Sequence, residues 1–332
     1  MEKNDIDMYI WNNIYKSNIN NKLNINELKD NVNKDKITER YNEIEEYRKS
    51  LNKLKNLPLI KQRTEEWHKL RSDRLTASDL YDAINENNTT ILKKKSCIDT
   101  TPSLNLNGVP AIKWGTMFEA MAQRCYSQKL DDINIYEFGL IPHEKLEHFG
   151  ASPDGINELG VMIEIKCPYS RKIIKDFIPS KYILQIQGQL SVCNLRECDY
   201  IECNFKSFDN YEDYISDKNI KEDDKINHGI IIELVNNKKE YQYIYSDPYL
   251  TKKETLKNVN DKMNKDDETF KLHKYTYWRL IEMTIQKVDF NELEWNNNIE
   301  DKIIKFWEKV EATKLYNLNN KRKNLFIEDD SD

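Results

Sequence analysis

The stretch from Gly150 to Pro168, GASPDGINELGVMIEIKCP, predicts a β-hairpin that carries charged side chains into an apolar strand. Side chains of a strand alternate between two faces, so residues 161–166 separate into an apolar face and a mixed face. Val161, Ile163 and Ile165 are expected in a core, whereas Met162, Glu164 and Lys166 share the opposite face. The turn over residues 155–160 folds Asp154, at the end of the preceding strand, back beside Glu164. Two carboxylates and a lysine are therefore expected to meet at one edge of a sheet.

The combination of Asp154, Glu164 and Lys166 is typical of a site for a hard divalent cation. Carboxylate oxygens suit Mg²⁺ or Mn²⁺, whereas a zinc site calls for His and Cys. Such a metal lowers the pKa of a bound water and stabilises the charge of a phosphoryl transition state. The lysine orients the nucleophile or offsets developing charge. An ordinary charged sheet face, with Asp154 as a turn residue, is the alternative, and these three residues alone leave it open.

The composition describes a globular protein without a domain-wide charge that favours nucleic acid. The 332 residues include 51 Lys and Arg against 57 Asp and Glu, a net charge of −6, so any contact with nucleic acid would depend on local basic patches. Two basic runs, LKKKS at 92–96 and SRKIIK at 170–175, flank the predicted site. The six cysteines contain no C-x-x-C pair, which predicts reduced thiols in an intracellular protein. No apolar run approaches the length of a membrane span, so a soluble protein is expected.

The first third of the chain has helical spacing. Tyr41, Ile44, Tyr47, Leu51 and Leu54 follow a helical period, which predicts a helical extension over residues 1–57. Thr64 is the predicted N-cap of the next helix, and another helix is expected to begin near Ser78. Residues 86–112 are polar and contain two prolines, which predicts a long loop. Residues 114–130 predict a helix with a buried stripe of Phe118, Met121, Ala122 and Cys125.

From residue 133 the hydrophobic period changes to two, which predicts a sheet. The predicted strands are 133–143, 148–154, 161–167 and 198–205, followed by a hairpin of 228–235 and 240–246. Residues 182–195 predict a helix, residues 207–227 an acidic, Tyr-rich insertion, and the chain from 250 onward is expected to be helical. Residues 316–332 predict a charged, disordered tail. The expected fold class is α/β, with a central mixed β-sheet flanked by helices.

The segments SPDG and EIKCP resemble the signature of the PD-(D/E)XK nucleases, in particular the lambda exonuclease family with its YqaJ-type viral recombinases. Four further segments resemble motifs of that family in the same order: EWHKLRSDRLTASDL, WGTMFE, YILQIQGQL and FWEKVE. The joint order of five motifs is far more specific than any one of them. The resemblance implies a restriction-endonuclease-like core over residues 58–315, with helical additions at both ends.

The resemblance implies a pocket for a 5′-terminal phosphate at Arg71 and Ser78. Ser152, which closely precedes the predicted metal ligand, is expected to face the same phosphate. Ser78 is also explained as an N-cap, and this alternative is compatible with phosphate binding because a helix N-terminus attracts anions. The family often has a glycine before its T-A-S element, whereas this chain has Ser72-Asp73-Arg74. An acid there weakens phosphate binding if it faces the pocket.

The resemblance also completes the metal site with side chains from two helices. Glu119 takes the place of the family's additional acid and joins the two carboxylates of the hairpin as a metal ligand. The family's glutamine falls on Gln185, with Gln187 in the second glutamine position. Two alternatives stay open: an ion pair of Glu119 with Arg124, and a polar helix edge formed by Gln185 and Gln189, one turn apart.

The function implied by the resemblance is that of a Mg²⁺-dependent phosphodiesterase, with Mn²⁺ as a substitute, acting as a 5′→3′ exonuclease on linear double-stranded DNA ends. Its setting is recombination, repair or viral DNA replication, with a single-strand annealing protein as a partner. Two alternatives stay open: a structure-specific or nicking endonuclease with the same site, and a nuclease-derived DNA-binding protein that does not cleave. The intact Asp154, Glu164 and Lys166 argue against the second. The absence of clustered cysteine spacing disfavours an Fe–S nuclease.

The resemblance implies a ring-like trimer, yet residues 1–57 and 207–227 lie outside it, and added elements can block such a ring. The strong bias toward Asn, Lys and Ile indicates an AT-rich genome. Combined with the recombinase resemblance, this bias favours a large DNA virus as the source, which places the protein in the host cytoplasm.

Overall fold

The structure, a computed structural model, describes residues 3–16, 23, 33–58, 60, 64–85, 88–96, 109–221, 227–263 and 269–328. Its helices are α1 (Lys3–Ile10), α2 (Lys34–Lys55), α3 (Glu65–Ser72), α4 (Leu80–Ile84), α5 (Thr89–Ser96), α6 (Pro110–Lys129), α7 (Ser180–Cys193), α8 (Tyr211–Ser216), α9 (Lys252–Lys262), α10 (Glu292–Glu294) and α11 (Glu300–Glu328). Its strands are β1 (Leu75–Thr76), β2 (Ile135–Tyr136), β3 (Ile141–Pro142), β4 (Phe149–Ala151), β5 (Gly155–Asn157), β6 (Met162–Lys166), β7 (Glu197–Phe208), β8 (His228–Val235), β9 (Tyr241–Tyr245) and β10 (Lys271–Asp289). Cys97 and residues 98–108 of the predicted loop lie outside the described residues.

Seven strands form the main sheet in the order β2-β5-β6-β7-β10-β8-β9. The β6–β7 pair is parallel, whereas the other neighbours are antiparallel. A small second sheet has the order β1-β4-β3. The predicted α/β class with a mixed sheet flanked by helices is therefore confirmed.

Strand β6 lies between two hydrophobic cores. Ile163 and Ile165 pack with Phe118 and other residues of α6 on one face, as the alternation predicts. Met162 is also fully buried and packs in a different core, with residues of α7 and α11. A strand covered on both faces is protected from water, so its charged residues must find partners within the protein.

The N-terminal extension is held against the sheet by hydrophobic packing and by buried ion pairs. Helix α2, which contains the predicted spacing, buries Ile37 and Ile44 in the α6 core and Leu51 in the α7 core. Arg40 is 4% exposed, and its guanidinium binds the carboxylates of Asp7 and Glu197. The helix predicted from residues 41–54 is thus confirmed, and it packs against the strands of the main sheet rather than standing apart.

The prediction that the chain is helical from residue 250 onward is wrong for β10. After α9, residues 271–289 form the longest described strand, between β7 and β8. Its register shifts between Leu280 and Glu282, and a bulge of this kind breaks the alternation of apolar and polar residues. Leu280 is followed by Ile281, which is half exposed, so the strand lacks the strict period of two that marks a strand in a sequence.

Three other predicted segments differ in the structure. Within the predicted loop 86–112, helix α5 forms and α6 begins at Pro110, whose fixed φ suits the first position of a helix. Helix α11 extends to Glu328, into the range 316–332 that was predicted to be a disordered tail, and residues 329–332 of that range lie outside the described residues. The 207–227 segment contains α8, whose Tyr214 is fully buried. Among the described residues, no helix is long and apolar enough to cross a membrane.

Candidate active site

Strands β5 and β6 form the hairpin that carries the predicted site. Gly155 pairs with Ile163 in an antiparallel ladder, so Asp154 stands opposite the position of Glu164. Oδ2 of Asp154 accepts a hydrogen bond of 2.7 Å from the backbone N–H of Ile165. The structure therefore brings Asp154 to the edge of β6 that bears the other charged residues.

The turn of this hairpin is shorter than the predicted one. We expected a connection over residues 155–160, whereas β5 uses the first three of these residues. Oδ1 of Asn157 accepts hydrogen bonds from the backbone N–H groups of Leu159 (3.0 Å) and Val161 (3.1 Å). Gly160 has a φ of 77°, a left-handed conformation that favours glycine. Asn157 and Gly160 thus close a tight turn that sets the register of the two strands.

Glu164 is fully buried and is held by side chains from β6 and α7. Its Oε1 contacts Nζ of Lys166 and accepts a hydrogen bond of 2.6 Å from Nε2 of Gln185. Its Oε2 accepts one of 2.8 Å from Nε2 of Gln189. Because the two glutamines lie one helical turn apart, α7 presents two amide donors to a single carboxylate.

Gln189 is a site residue that the resemblance did not assign. The resemblance put its second glutamine at Gln187, but Gln187 donates to the backbone carbonyl of Asp289 at 2.9 Å and accepts from the N–H of Asn291 at 2.7 Å. Positions two apart lie about 200° apart around a helix, so Gln187 faces away from Gln185. The four-residue spacing of Gln185 and Gln189 was the feature of the sequence that could have identified Gln189, because residues four apart share one face of a helix.

The charges around Asp154 are concentrated and poorly solvated. Burial raises the pKa of Asp154 well above its usual value, and Glu164 and Glu119 raise it further. Burial opposes the positive charge of Lys166, but Glu164 and Asp154 outweigh this effect and raise its pKa. One ammonium group thus faces three carboxyl groups, and a bound cation would offset the remaining repulsion.

An open cavity of about 610 Å³ lies beside these residues and is lined by Glu119, Asp154 and Lys166. Glu119 belongs to α6, so the cavity joins that helix to the hairpin. Carboxylate oxygens are the donors that Mg²⁺ and Mn²⁺ prefer. Within the described ranges, however, no three His, Cys, Asp or Glu side chains are arranged to hold a metal ion. The chemistry of these donors suits a hard cation, although the described side chains are not arranged as a formed metal site.

Arg71, Ser78 and Ser152, which we term the end pocket, are linked to one another through Trp67. Nη2 of Arg71 donates to Oγ of Ser78 at 2.7 Å, and the guanidinium lies 5.0 Å from the ring centre of Trp67. Nε1 of Trp67 donates to Oγ of Ser152 at 3.4 Å. The backbone carbonyl of Ser152 accepts a long contact of 3.5 Å from Gln189. The end pocket and the buried carboxylate are therefore connected through shared neighbours.

Three residues missed in the sequence add charge to the end pocket: Asp79, Lys94 and Lys95. Oδ2 of Asp79 lies 3.3 Å from Nζ of Lys94, 3.7 Å from Nζ of Lys95 and 3.9 Å from Nη2 of Arg71. Nζ of Lys95 also donates to the backbone carbonyl of Arg71 at 2.8 Å. Burial lowers the pKa of Lys95 to about 8. Burial opposes the ionisation of Asp79, but Lys94 and Lys95 outweigh it and lower its pKa.

Partial signals for these residues exist in the sequence. The basic run at 92–96 was expected to flank the predicted site, where it would suit a DNA backbone, but a loop was expected where α5 forms. Only the packed helix buries the side chain of Lys95 to 3% exposure while leaving that of Lys94 57% exposed. Asp73, the acid expected to disturb the pocket, is exposed and accepts a hydrogen bond of 3.3 Å from Oγ of Ser72. The acid that reaches Arg71 is Asp79.

Residues 66–196 match the YqaJ-like viral recombinase domain. This range contains Arg71, Ser78, Glu119, Ser152, Asp154, Glu164, Lys166 and Gln185. The resemblance inferred from the motifs is thereby confirmed over this range.

One relative is the Uncharacterized protein R354 of Acanthamoeba polyphaga mimivirus, which is 25% identical over 321 residues. The match covers 78% of this chain and 58% of the relative, so the chain spans little more than half the length of that protein. An alkaline exonuclease, LHK-Exo, from Laribacter hongkongensis is 20% identical with a TM-score of 0.47, over 79% of this chain and 100% of that chain. A phage related exonuclease from Haemophilus somnus 129PT is 12% identical with a TM-score of 0.38, over 73% and 92%.

Proposed function

Because residues 66–196 match the YqaJ-like viral recombinase domain, we propose that the protein is a Mg²⁺-dependent exonuclease that hydrolyses linear double-stranded DNA from its 5′ ends. Mn²⁺ is the proposed substitute for Mg²⁺. The observation that carries this proposal is the fully buried carboxylate of Glu164, held by Lys166 and two glutamines beside Asp154. An ordinary charged sheet face would be solvated. A buried carboxylate requires donors that compensate its lost hydration, as the three donors to Glu164 do. Buried ionisable groups with specific charged partners are typical of functional sites.

The proposed roles follow from the position of each side chain around the cavity. Asp154, Glu164 and Glu119 would hold the metal ion, which when bound stabilises negative charge on a phosphoryl group and lowers the pKa of a bound water. Lys166 would orient the attacking water and offset developing charge, since its raised pKa keeps it protonated. Gln185 would keep the Glu164 carboxylate in place through its hydrogen bond.

The end pocket favours an exonuclease over an endonuclease with the same centre. Arg71 presents a fixed fork of donors, and Ser78 and Ser152 add two hydroxyls. Lys94 and Lys95 increase the positive charge around a bound anion. A terminal phosphate carries more negative charge than an internal phosphodiester, so the end pocket would bind a 5′-phosphorylated end more tightly than an internal site. The next phosphodiester would then lie near the carboxylates.

The test compares an end-labelled linear duplex with a covalently closed circle of the same sequence, each with Mg²⁺ and with chelator. We expect Mg²⁺-dependent degradation of the linear duplex, with 5′-label released as short products and the circle intact. Lys166→Ala serves as the inactive control. Equal cleavage of the circle would favour the structure-specific or nicking endonuclease. Binding of DNA without any cleavage would favour the nuclease-derived binding protein.

The proposed setting is recombination, repair or viral DNA replication, with a single-strand annealing protein using the 3′ strand that resection exposes. A viral source, which the amino-acid bias favours, would place this work in the host cytoplasm. Sedimentation of the full chain tests whether it forms the ring-like trimer that the resemblance implies or whether the added segments block that ring. A monomer that remains processive on long duplexes would contradict the ring.

A further inference from the structure

The segment between β6 and α7, residues 167–179, exposes large apolar side chains, and its first residues, 167–171, line the cavity. Tyr169, Ile174 and Phe177 are each more than half exposed, and Ile112 at the start of α6 is 43% exposed. Tyr169 and Ile112 line the cavity together with Asp154 and Lys166. Apolar side chains concentrated beside a polar site generally mark a contact surface for a ligand or partner.

Tyr169 contacts a neighbouring aromatic ring and is nevertheless exposed to solvent. Its ring makes an edge contact with Trp114, with ring centres 5.6 Å apart, and Trp114 packs on the buried Phe118 at 4.4 Å. A ring supported by an edge contact with a neighbouring aromatic side chain loses little conformational entropy when a flat ligand group stacks on its exposed part. Tyr169 is therefore prepared to receive such a group.

Cations alternate with these apolar side chains along the same segment. Arg171 lines the cavity and is anchored by the buried Glu202, while Lys172 and Lys175 are exposed on either side of Ile174. Rings alternating with cations match single-stranded nucleic acid, whose bases stack on aromatic groups while its phosphates contact Arg and Lys. A protein partner fits less well, because the cores of protein interfaces are depleted in Lys.

We infer that Tyr169, Ile174 and Phe177, with Arg171, Lys172 and Lys175, form a binding surface for unpaired nucleotides. We term it the stacking surface. The inference rests on the proposed DNA substrate and adds the form in which the DNA reaches the site. Bases inside a duplex are covered by their neighbours on both faces, and only the terminal pair has an open face. Several stacking and cationic side chains along one segment therefore suit a single-stranded stretch that continues into the cavity.

The test measures binding of a fluorescent single-stranded oligonucleotide in chelator, where cleavage does not interfere, against an abasic sugar–phosphate strand of the same length. Loss of one base–aromatic contact corresponds to roughly five- to 150-fold in affinity. Tyr169→Ala should weaken binding of the normal strand by about this factor and leave the abasic strand unchanged. Lys172→Ala should weaken both strands alike, because it removes a phosphate contact.

Matched controls separate stacking from a general loss of structure. Tyr316→Ala removes an exposed tyrosine on α11 and should change neither affinity, and Tyr169→Phe should retain the preference for the normal strand. Equal wild-type affinity for normal and abasic strands would overturn the inference. Loss of self-association in Tyr169→Ala, with unchanged DNA affinity, would also overturn it and make the surface an interface between copies. Because the assay contains no cleavage step, an inactive enzyme with intact base-dependent binding would contradict the proposed function alone.

Discussion

Replacing Arg40 by Met should strongly destabilise the protein, because Arg40 joins the N-terminal extension to β7 through a buried ion-pair cluster. Its Nε and Nη2 donate to Asp7 at 2.6 and 3.1 Å, and its Nη1 and Nη2 donate to Glu197 at 2.6 and 2.9 Å. Met keeps most of the side-chain length and removes these four hydrogen bonds together with a fifth, of 2.7 Å, to Glu43. Two carboxylates would then remain buried with reduced compensation.

Two independent estimates give a similar loss of stability. Removing one partner from a buried ion pair costs about 3 to 5 kcal/mol. Burial opposes the ionisation of Glu197, yet hydrogen bonds from Arg40 and then Lys3 lower its pKa from 4.5 to about 2. A difference of this size corresponds to about 3 kcal/mol of preferential stabilisation of the ionised form. Because Lys3 and Lys287 remain as partners, the expected loss is about 3 kcal/mol.

The measurement is urea denaturation followed by circular dichroism at pH 7. The matched control is Lys49→Met, which removes a positive charge from the same helix but breaks only an exposed pair with Glu46, worth about 0 to 1 kcal/mol. The difference between wild type and Arg40→Met should shrink as the pH falls from 4.5 toward 2. This direction follows because a carboxylate with a lowered pKa stabilises the fold above its unfolded pKa and loses that effect on protonation.

A loss no larger than that of Lys49→Met would refute the reasoning, since it would mean that the cluster is solvated or that the extension detaches without consequence. The double variant Arg40→Met with Glu197→Gln provides a second check. It should recover part of the lost stability, because the glutamine carries no buried charge. No recovery would show that the loss arises from packing of α2 rather than from the uncompensated carboxylate.

The remaining predictions concern the cavity and the end pocket. Lys166→Ala should lower the cleavage rate by roughly 10²- to 10⁴-fold while retaining secondary structure and DNA affinity, and retention of a tenth of wild-type turnover would exclude a catalytic role. Arg71→Ala should slow degradation of 5′-phosphorylated duplex by about ten- to a hundredfold through loss of charge-assisted bonds, with little effect on 5′-hydroxyl duplex; equal slowing of both would assign it a structural role. The preference for a 5′-phosphate, measured as a ratio of kcat/KM values, should decline as the pH rises through about 8, because Lys95, whose pKa burial lowers to about 8, loses its charge there. In Lys95→Met the preference should be lower and independent of pH in this range, and an unchanged decline would assign it to another group.

The sequence by itself determined the parts of the site that depend on neighbouring residues. Alternation along residues 161–166 places Glu164 and Lys166 on one face, and the turn residues that follow Asp154 place it in the same hairpin. The exact register that sets Asp154 opposite Glu164 came from the structure, because the turn is shorter than the sequence predicted. Ser78 and Arg71 are likewise close in the chain, and the structure brings them into contact. The resemblance required only the order of five short motifs, which is why it could be recognised without the fold.

Only the tertiary structure decided which distant side chains reach the site. The rotation of α7 about its axis selects Gln189 rather than Gln187 as the second donor to Glu164, and rotation depends on which residues of the helix are buried. Lys95 and Asp79 meet at Arg71 only because α5 packs beside the end pocket. The central position of β10 is set by pairing with β7 and β8, contacts between residues far apart in the chain. Local spacing predicts none of these contacts, since each is decided by burial of surfaces that come together only when the whole sheet has formed.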